Sequence, residues 1–267
     1  MRVIKEMRSS LNRLFIFETE DLFRVEAVFY KGERLCVSSQ VGCPVKCRFC
    51  ASGLLGLKRN LRWNEITSQY ELLKDKLPVK GIAIAGIGEP SVNYKEVLKA
   101  ISFFKEKGLK ITISTTGFSL EGFKELIRAP HNGLTLSVHG VSEEVRKKIF
   151  GVEVPLEPVL SELKEYLKGV SSSRRKKFQF GYLLIKGVND SREELSKLAD
   201  LAREFRFTVM LMAYNEVKGL PFKGVSEKEY EEAFLFLRSK GVRTTFSNRF
   251  RRDKLGGCGT LTIAREV

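Results

Sequence analysis

Cys43-Pro-Val-Lys-Cys47-Arg-Phe-Cys50 places three thiols within eight residues of a 267-residue chain that holds five cysteines in all. Cys36 lies just upstream and Cys258 stands alone near the C-terminus. A structural zinc site needs four tetrahedral ligands, usually supplied by two paired-ligand loops, and this chain has one triplet and no second pair. Three thiolates on one loop suit a 4Fe–4S cluster, which four cysteines normally hold. With only three, one iron keeps an open position for a small chelating molecule. A zinc site with Cys36 as the fourth ligand stays open as an alternative. Disulfides do not fit, because five is odd and residues 1–12 are polar and basic, without the apolar core of a secretory leader. The expectation is an iron–sulfur protein of the reducing cytoplasm.

Composition narrows the class further. Hydrophobic residues make up 43% of the chain, and no apolar run reaches the ~18–20 residues that span a bilayer. Lys and Arg number 47 against 32 Asp and Glu, a formal net charge of +15. Such an excess points to a polyanionic partner, nucleic acid above all, whose capture a positive surface accelerates. The competing explanation is a lysine-rich surface of the thermophilic kind.

Short β-branched or apolar runs alternate with amphipathic stretches. Strands are predicted at 34–39, 81–85, 110–114, 134–138, 178–185 and 207–213, and helices at 64–76, 94–107, 120–128, 157–168 and 192–205, where apolar residues recur every three or four positions. Ser191-x-x-Glu194 and Ser226-x-x-Glu229 read as capping boxes. Strand–helix alternation with apolar strands implies a parallel sheet covered by helices. Six such units make an α/β partial barrel, open on one side, with its ligands at the C-terminal ends of the strands. Residues 14–17, 23–30 and the strand entering Cys36 read as a small antiparallel meander, so residues 1–33 form an N-terminal β extension and 34–267 the barrel. Residues 171–177, Ser-Ser-Ser-Arg-Arg-Lys-Lys, read as a polar basic loop.

Three further motifs fall at strand ends. The C-x3-C-x2-C spacing, with an aromatic before the last cysteine, marks sites that bind and reductively cleave S-adenosylmethionine. Gly86-Ile-Gly88-Glu89-Pro90 follows the second barrel strand. Its glycines allow close backbone approach, and Glu89 is suited to accept from the methionyl ammonium, although the same letters also make a plain tight turn. Ser114 in Ser-Thr-Thr-Gly and Ser137 in Ser-Val-His-Gly suit either a ribose or carboxylate contact or a strand-end cap. His139, one of two histidines, is not assigned general-base work.

Taken together, Cys36-Val-Ser-Ser-Gln-Val-Gly-Cys43, the cysteine triplet, Gly-x-Gly-Glu-Pro, Ser-Thr-Thr-Gly, Ser-Val-His, Gly187-Val-Asn-Asp-Ser191 and Cys258-Gly resemble the RlmN/Cfr family of radical-SAM RNA methyltransferases. The resemblance runs in order from about Phe15 to Leu261. It implies a radical-SAM partial (β/α)6 barrel that methylates C2 or C8 of an adenine in ribosomal or transfer RNA. Cys43, Cys47 and Cys50 would hold one 4Fe–4S cluster, with Gly88, Glu89, Ser114, Ser137, Val138, His139 and Asn215 contacting S-adenosylmethionine. Cys258 would take a methyl group from one S-adenosylmethionine. A second, cleaved at the open iron to a 5′-deoxyadenosyl radical, would abstract hydrogen from that methyl group, and the methylene radical would add to adenine. Cys36 would then attack the Cys258 sulfur, forming a transient disulfide and releasing the base. Glu26 takes the place of a carboxylate that assists proton transfer. A flavodoxin or ferredoxin would donate electrons to a cytoplasmic monomer with no membrane contact.

The chain also departs from the family. It begins almost at the meander, and the expectation is a short form without the helical N-terminal domain. The segment before Cys258, Arg249-Phe-Arg-Arg-Asp-Lys-Leu-Gly-Gly, is basic but lacks the usual Arg-Gly and Ala-Ala; Thr260, Ala213 and Glu216 replace a glutamine and two prolines. Two other readings stay in play. A radical-SAM enzyme with a small-molecule or protein substrate explains the triplet but leaves Cys36, Cys258 and the charge unused. A zinc-stabilised RNA-binding module explains only the charge. Neither the position methylated nor the RNA follows from the sequence.

Overall fold

Residues 34–213 alternate strand and helix as their periodicity requires. The computed structural model describes residues 1–256 other than 155, 248 and 254; Cys258 therefore lies outside the described residues. Its first three strands, β1 (Arg2–Arg8), β2 (Asn12–Glu18) and β3 (Arg24–Tyr30), form an antiparallel meander. β4 (Arg34–Val37) pairs antiparallel with β3. A small antiparallel pair, β5 (Gln40–Val41) and β6 (Arg59–Asn60), brackets the cysteine loop and the one-turn helix α1 (Ala51–Leu54). Then come α2 (Trp63–Glu71), β7 (Gly81–Ile84), α3 (Tyr94–Glu106), β8 (Lys110–Thr115), α4 (Leu120–Arg128) and β9 (Gly133–Ser137). The chain continues through α5 (Glu143–Ile149), α6 (Glu157–Lys168), α7 (Ser172–Arg175), β10 (Phe178–Leu184), α8 (Arg192–Phe205), β11 (Thr208–Ala213), α9 (Glu227–Ser239) and β12 (Thr244–Phe246).

One ten-stranded sheet runs in the order β1-β2-β3-β4-β7-β8-β9-β10-β11-β12. β4 pairs parallel with β7, and every later neighbour is also parallel. The six expected barrel strands are all present, and short β12 adds a seventh. Residues 172–175, expected as loop, form α7, capped where the Ser171 hydroxyl accepts from the Arg174 amide.

The two faces of the sheet differ in kind. Ile82, Ile84, Ile111, Ile113, Leu134, Leu136, Phe180, Tyr182, Val209 and Leu211 point outward and are buried under the helices in the main core. Neighbouring positions along the same strands carry Ala83, Thr112, Ser114, Thr135, Ser137, Gln179 and Gly181. Side chains alternate between faces along a strand, so the barrel interior is lined by small and polar groups together with Leu183, Met210 and Met212. That interior holds the site.

Ser226 and Glu229 form the expected reciprocal capping box. At α8 only half of it forms: Ser191 accepts from the Glu194 amide, but the Glu194 carboxylate crosses to the loop after β9. There it accepts from the amides of Val141 and Ser142 and from the Ser142 hydroxyl, and the residue is buried. Three donors in the loop after β9 outweigh one amide at the helix start.

Candidate active site

The cysteine loop is strapped to the barrel by its backbone. The Cys43 amide donates to the Gly56 carbonyl at 3.2 Å, the Arg48 amide to Ile149 at 2.8 Å and the Gly151 amide to Lys46 at 2.9 Å. Lys46 adopts a φ of 50°, which turns the chain so that Cys47 forms a bridge with Phe150. Phe49, the aromatic before the last cysteine, packs edge-on against His139 at 5.4 Å between ring centroids, and the Tyr214 hydroxyl donates to its carbonyl at 3.2 Å. Val45, Phe49, Ile149, Leu183, Met212 and Tyr214 surround the loop with apolar side chains.

Cys43, Cys47 and Cys50 line one cavity, and Cys36 on β4 lines it too. Burial pushes the Cys43 thiol up to about 12 and the Cys47 thiol well above its ordinary value, with the neighbouring cysteines and Glu89 adding to the effect. Such thiols ionise when a cationic centre binds them, which suits an iron–sulfur cluster. Three thiols from one loop facing one cavity form a donor set that suits a 4Fe–4S cluster.

The Gly-x-Gly-Glu-Pro loop forms the next wall. The Ile87 carbonyl accepts from the amides of Ser39 (2.9 Å) and Gln40 (3.2 Å), and its amide donates to the Ser38 hydroxyl at 2.9 Å. Gly88 has a φ of 116°, and a Cβ there would stand 2.8 Å from the Ser39 hydroxyl and from the Gln40 Cβ. Only glycine fits this turn. Buried Glu89 lines the cavity, but its carboxylate already accepts from the Ser91 amide, the Thr115 hydroxyl, and the amide and hydroxyl of Thr116. The structure thus shows Glu89 knitting β8 to its own loop, a role the ammonium expectation did not include.

Ser114, Ser137 and His139 line the same cavity, as does Gly88. His139 holds a φ of 55°; its Nδ1 accepts from the Leu183 amide at 3.1 Å, and Asn189 donates to its carbonyl at 2.7 Å. Burial, with the nearby Arg146 charge, pushes its pKa down to about 3. It is a neutral ring, in keeping with no general-base assignment.

Three expected residues lie outside the cavity lining. Val138 is buried in the main core, its amide donating to the Gly181 carbonyl at 3.0 Å. Asn215 gives its side-chain amide to the Arg251 carbonyl at 2.9 Å. Glu26 is fully buried in β3, and its carbonyl accepts from the Ser38 hydroxyl at 2.6 Å. Glu26 and Val28 share a face, and Val28 is the cross-strand partner of Cys36. Cys258 itself is not described, but the residues leading to it are. Leu255 is buried in one cluster with Val28, Tyr30 and Cys36.

Several site residues escaped the sequence reading. Gln40 accepts from the Glu89 amide at 2.7 Å, and its place in the Cys36–Cys43 block was the available signal. Thr115 and Thr116 stood beside Ser114 in a motif already noted. Arg146 donates to the carbonyls of Val138, Gly140 and Val154 at 2.6–3.1 Å, fixing the His139 turn; nothing in its helix marks it out. Arg251 also lines the cavity.

Comparison with known proteins agrees with this geometry. The radical SAM superfamily profile matches residues 37–199. A protein from Akkermansia muciniphila described as a probable dual-specificity RNA methyltransferase RlmN is 36% identical over 277 residues, covering 95% of this chain and 76% of its own. The dual-specificity RNA methyltransferase RlmN of Lawsonia intracellularis is 35% identical, covering 85% of this chain and 66% of its own. Among solved structures, a radical SAM methyltransferase from Sphaerobacter thermophilus superposes with a TM-score of 0.86 at 27% identity, covering 97% of this chain and 80% of that one. Streptococcus suis SuiB bound to S-adenosylmethionine, with a TM-score of 0.61 and 18% identity over 82% of this chain and 51% of its own, shares the fold alone. The chain belongs to the radical SAM superfamily and, within it, to the RlmN family.

Proposed function

We propose that the protein is a radical-SAM methyltransferase that methylates a ring carbon, C2 or C8, of an adenosine in ribosomal or transfer RNA. One observation carries this reading. The three loop cysteines and Cys36 line a single cavity, and Leu255, three residues before Cys258, is buried in one apolar cluster with Cys36. An ordinary radical-SAM enzyme needs only the first three.

Cys43, Cys47 and Cys50 would hold a 4Fe–4S cluster, which supplies one-electron reduction of bound S-adenosylmethionine and so the radical chemistry an unreactive adenine carbon requires. Gly88 leaves the cavity open at its backbone, and Ser114, Ser137 and His139 offer polar contacts from two adjoining strand ends. Glu89 keeps that wall in register through the Thr115 and Thr116 hydroxyls. The Val138 backbone supports the His139 turn, and Asn215 orients the chain at Arg251. Apolar neighbours of the loop exclude water, which protects a reactive intermediate.

Cys258 would carry the methyl group. Leu255 and Gly256 hold the preceding chain beside β3 and β4, and two residues of extended chain reach at most ~7 Å. The Cys36 thiolate would attack the Cys258 sulfur, forming an S–S bond as the carbon–sulfur bond to the base breaks and the released methylene carbon takes up a proton to become the methyl group. Glu26, on the same sheet face, is the proposed proton acceptor. The basic surface suits an RNA partner, whose target base must be splayed out of its stack to expose a ring carbon. A flavodoxin or ferredoxin donor, a monomeric state and a cytoplasmic setting complete the proposal. Among the described residues no helix is long and apolar enough to cross a membrane.

The decisive experiment compares Cys36→Ala with Cys258→Ala in anaerobic turnover with RNA. Cys36→Ala should accumulate a covalent protein–RNA species that survives denaturant and vanishes with ribonuclease. Cys258→Ala should form neither adduct nor methylated adenosine. Normal methylation by either variant overturns the relay.

A further inference from the structure

Below the cysteine cavity the barrel opens into a second one, toward the N-terminal ends of the strands. Arg34 from β4, Thr112 from β8 and Gln179 from β10 line it, and Phe250 and Arg251 line it from the C-terminal segment. Tyr30, Ser114, Thr135, Met210 and Arg251 line both cavities, so the two adjoin. This end of an α/β barrel is ordinarily packed with apolar side chains. Here it contains two guanidiniums, and no carboxylate lines it.

Arg34 lies in an awkward electrostatic position. Its Nη1 donates to the Thr112 hydroxyl at 2.8 Å, one of the five N–H groups a guanidinium carries. Burial and the like charge of Arg251 both push its pKa down. Arg251 gives one N–H to the Met212 sulfur at 3.7 Å, and two guanidiniums lining one cavity with hydroxyls and a carboxamide are costly alone and favourable around an anion. The planar fork of arginine matches a phosphate in particular.

We propose that Arg34 and Arg251 hold the phosphate of the nucleotide being methylated, so that the lower cavity is the phosphate subsite of the substrate. The base then points upward, past Ser114 and Thr135, toward the layer of Cys36 and Leu255. Thr112 and Gln179 supply neutral hydrogen bonds beside the two charges. This inference rests on the reading of the substrate as an adenosine in RNA.

The test is calorimetric titration of the anaerobic, iron-loaded protein with adenosine 5′-monophosphate and with adenosine. The wild-type protein should prefer the monophosphate by about ten- to a hundredfold, as charge-assisted hydrogen bonds provide. Arg34→Gln should narrow that preference to about threefold or less, and Arg34→Lys, which keeps the charge but not the fork, should fall between. Equal affinities in the wild-type protein overturn the subsite without any variant, and so does an unchanged preference in a folded Arg34→Gln. If the preference follows Arg34 while no RNA is methylated, the subsite stands and the methyltransferase reading fails. If RNA is methylated without such a preference, the reverse holds.

Discussion

Tyr30 donates from its hydroxyl to the Gly256 carbonyl at 3.0 Å, tying the end of β3 to a residue two positions before Cys258. Asn12, on the neighbouring strand, donates to the Phe250 carbonyl at 2.7 Å. The N-terminal meander thus sets the path of the C-terminal segment, and with it the start of the chain that bears the proposed methyl carrier.

Tyr30→Phe removes that hydrogen bond and keeps the ring. Losing about 1 kcal/mol of positioning should slow single-turnover methylation of RNA roughly fivefold at unchanged iron content. An unaltered rate would show that the tie does not position Cys258.

The loop cysteines and Cys36 should separate cleanly. Alanine at Cys43, Cys47 or Cys50 should abolish bound iron and the brown absorbance of anaerobically purified protein. Cys36→Ala should retain both. Iron lost from Cys36→Ala would revive a four-cysteine site.

Glu194→Ala should be among the more damaging substitutions remote from the cysteines. It strands the Val141 and Ser142 amides in the loop that leads from His139 to α5. A cost of roughly 3 kcal/mol corresponds to a melting temperature lower by about 6–12 °C for a domain of this size. Glu194→Gln, which keeps an acceptor, should lose less; equal losses for the two would contradict the account.

His131 gives a pH dependence with a defined sign. Its Nε2 faces the Arg174 guanidinium at 3.0 Å, with Lys177 nearby and the Phe178 ring edge-on at 5.3 Å. Burial first, then the charges of Arg174 and Lys177, pushes its pKa down to about 3. The unfolded chain takes up that proton near pH 6.5 and the folded protein does not. Its contribution is therefore full above about pH 6.5 and is lost progressively as pH falls toward 3. Between pH 7 and 5 the loss is on the order of 2 kcal/mol, and His131→Gln should show a shallower fall in melting temperature over that interval. A slope identical to wild type would mean that His131 does not titrate as described.

Much of this architecture was legible because burial imposes a period. α4, α6 and α8 span the residues that the spacing of their leucines, isoleucines and phenylalanines marks out. β1 was not legible. Its Arg2-Val-Ile-Lys-Glu-Met-Arg is almost wholly exposed and has no alternation to detect. It is a strand because β2 offers it a ladder, and its charges blunt the open sheet edge.

In the site, the motif glycines and cysteines were legible because each answers a local geometric demand. The partners of Glu89 and Asn215 were not, since both are chosen by distant segments: Glu89 by Thr115 and Thr116, Asn215 by Arg251. Arg34 and Arg251, more than two hundred residues apart, meet only once the barrel closes.

Among the described residues, Cys36 occupies the one strand that is antiparallel to one neighbour and parallel to the other. Shifting its sulfur appreciably would break two hydrogen-bonded ladders at once, so it behaves as a fixed post. Any sulfur that exchanges with it has to be delivered there by the rest of the fold. If Cys36 is the resolving thiol proposed above, its selectivity becomes a question of delivery: its partner is whichever sulfur the chain brings to β4.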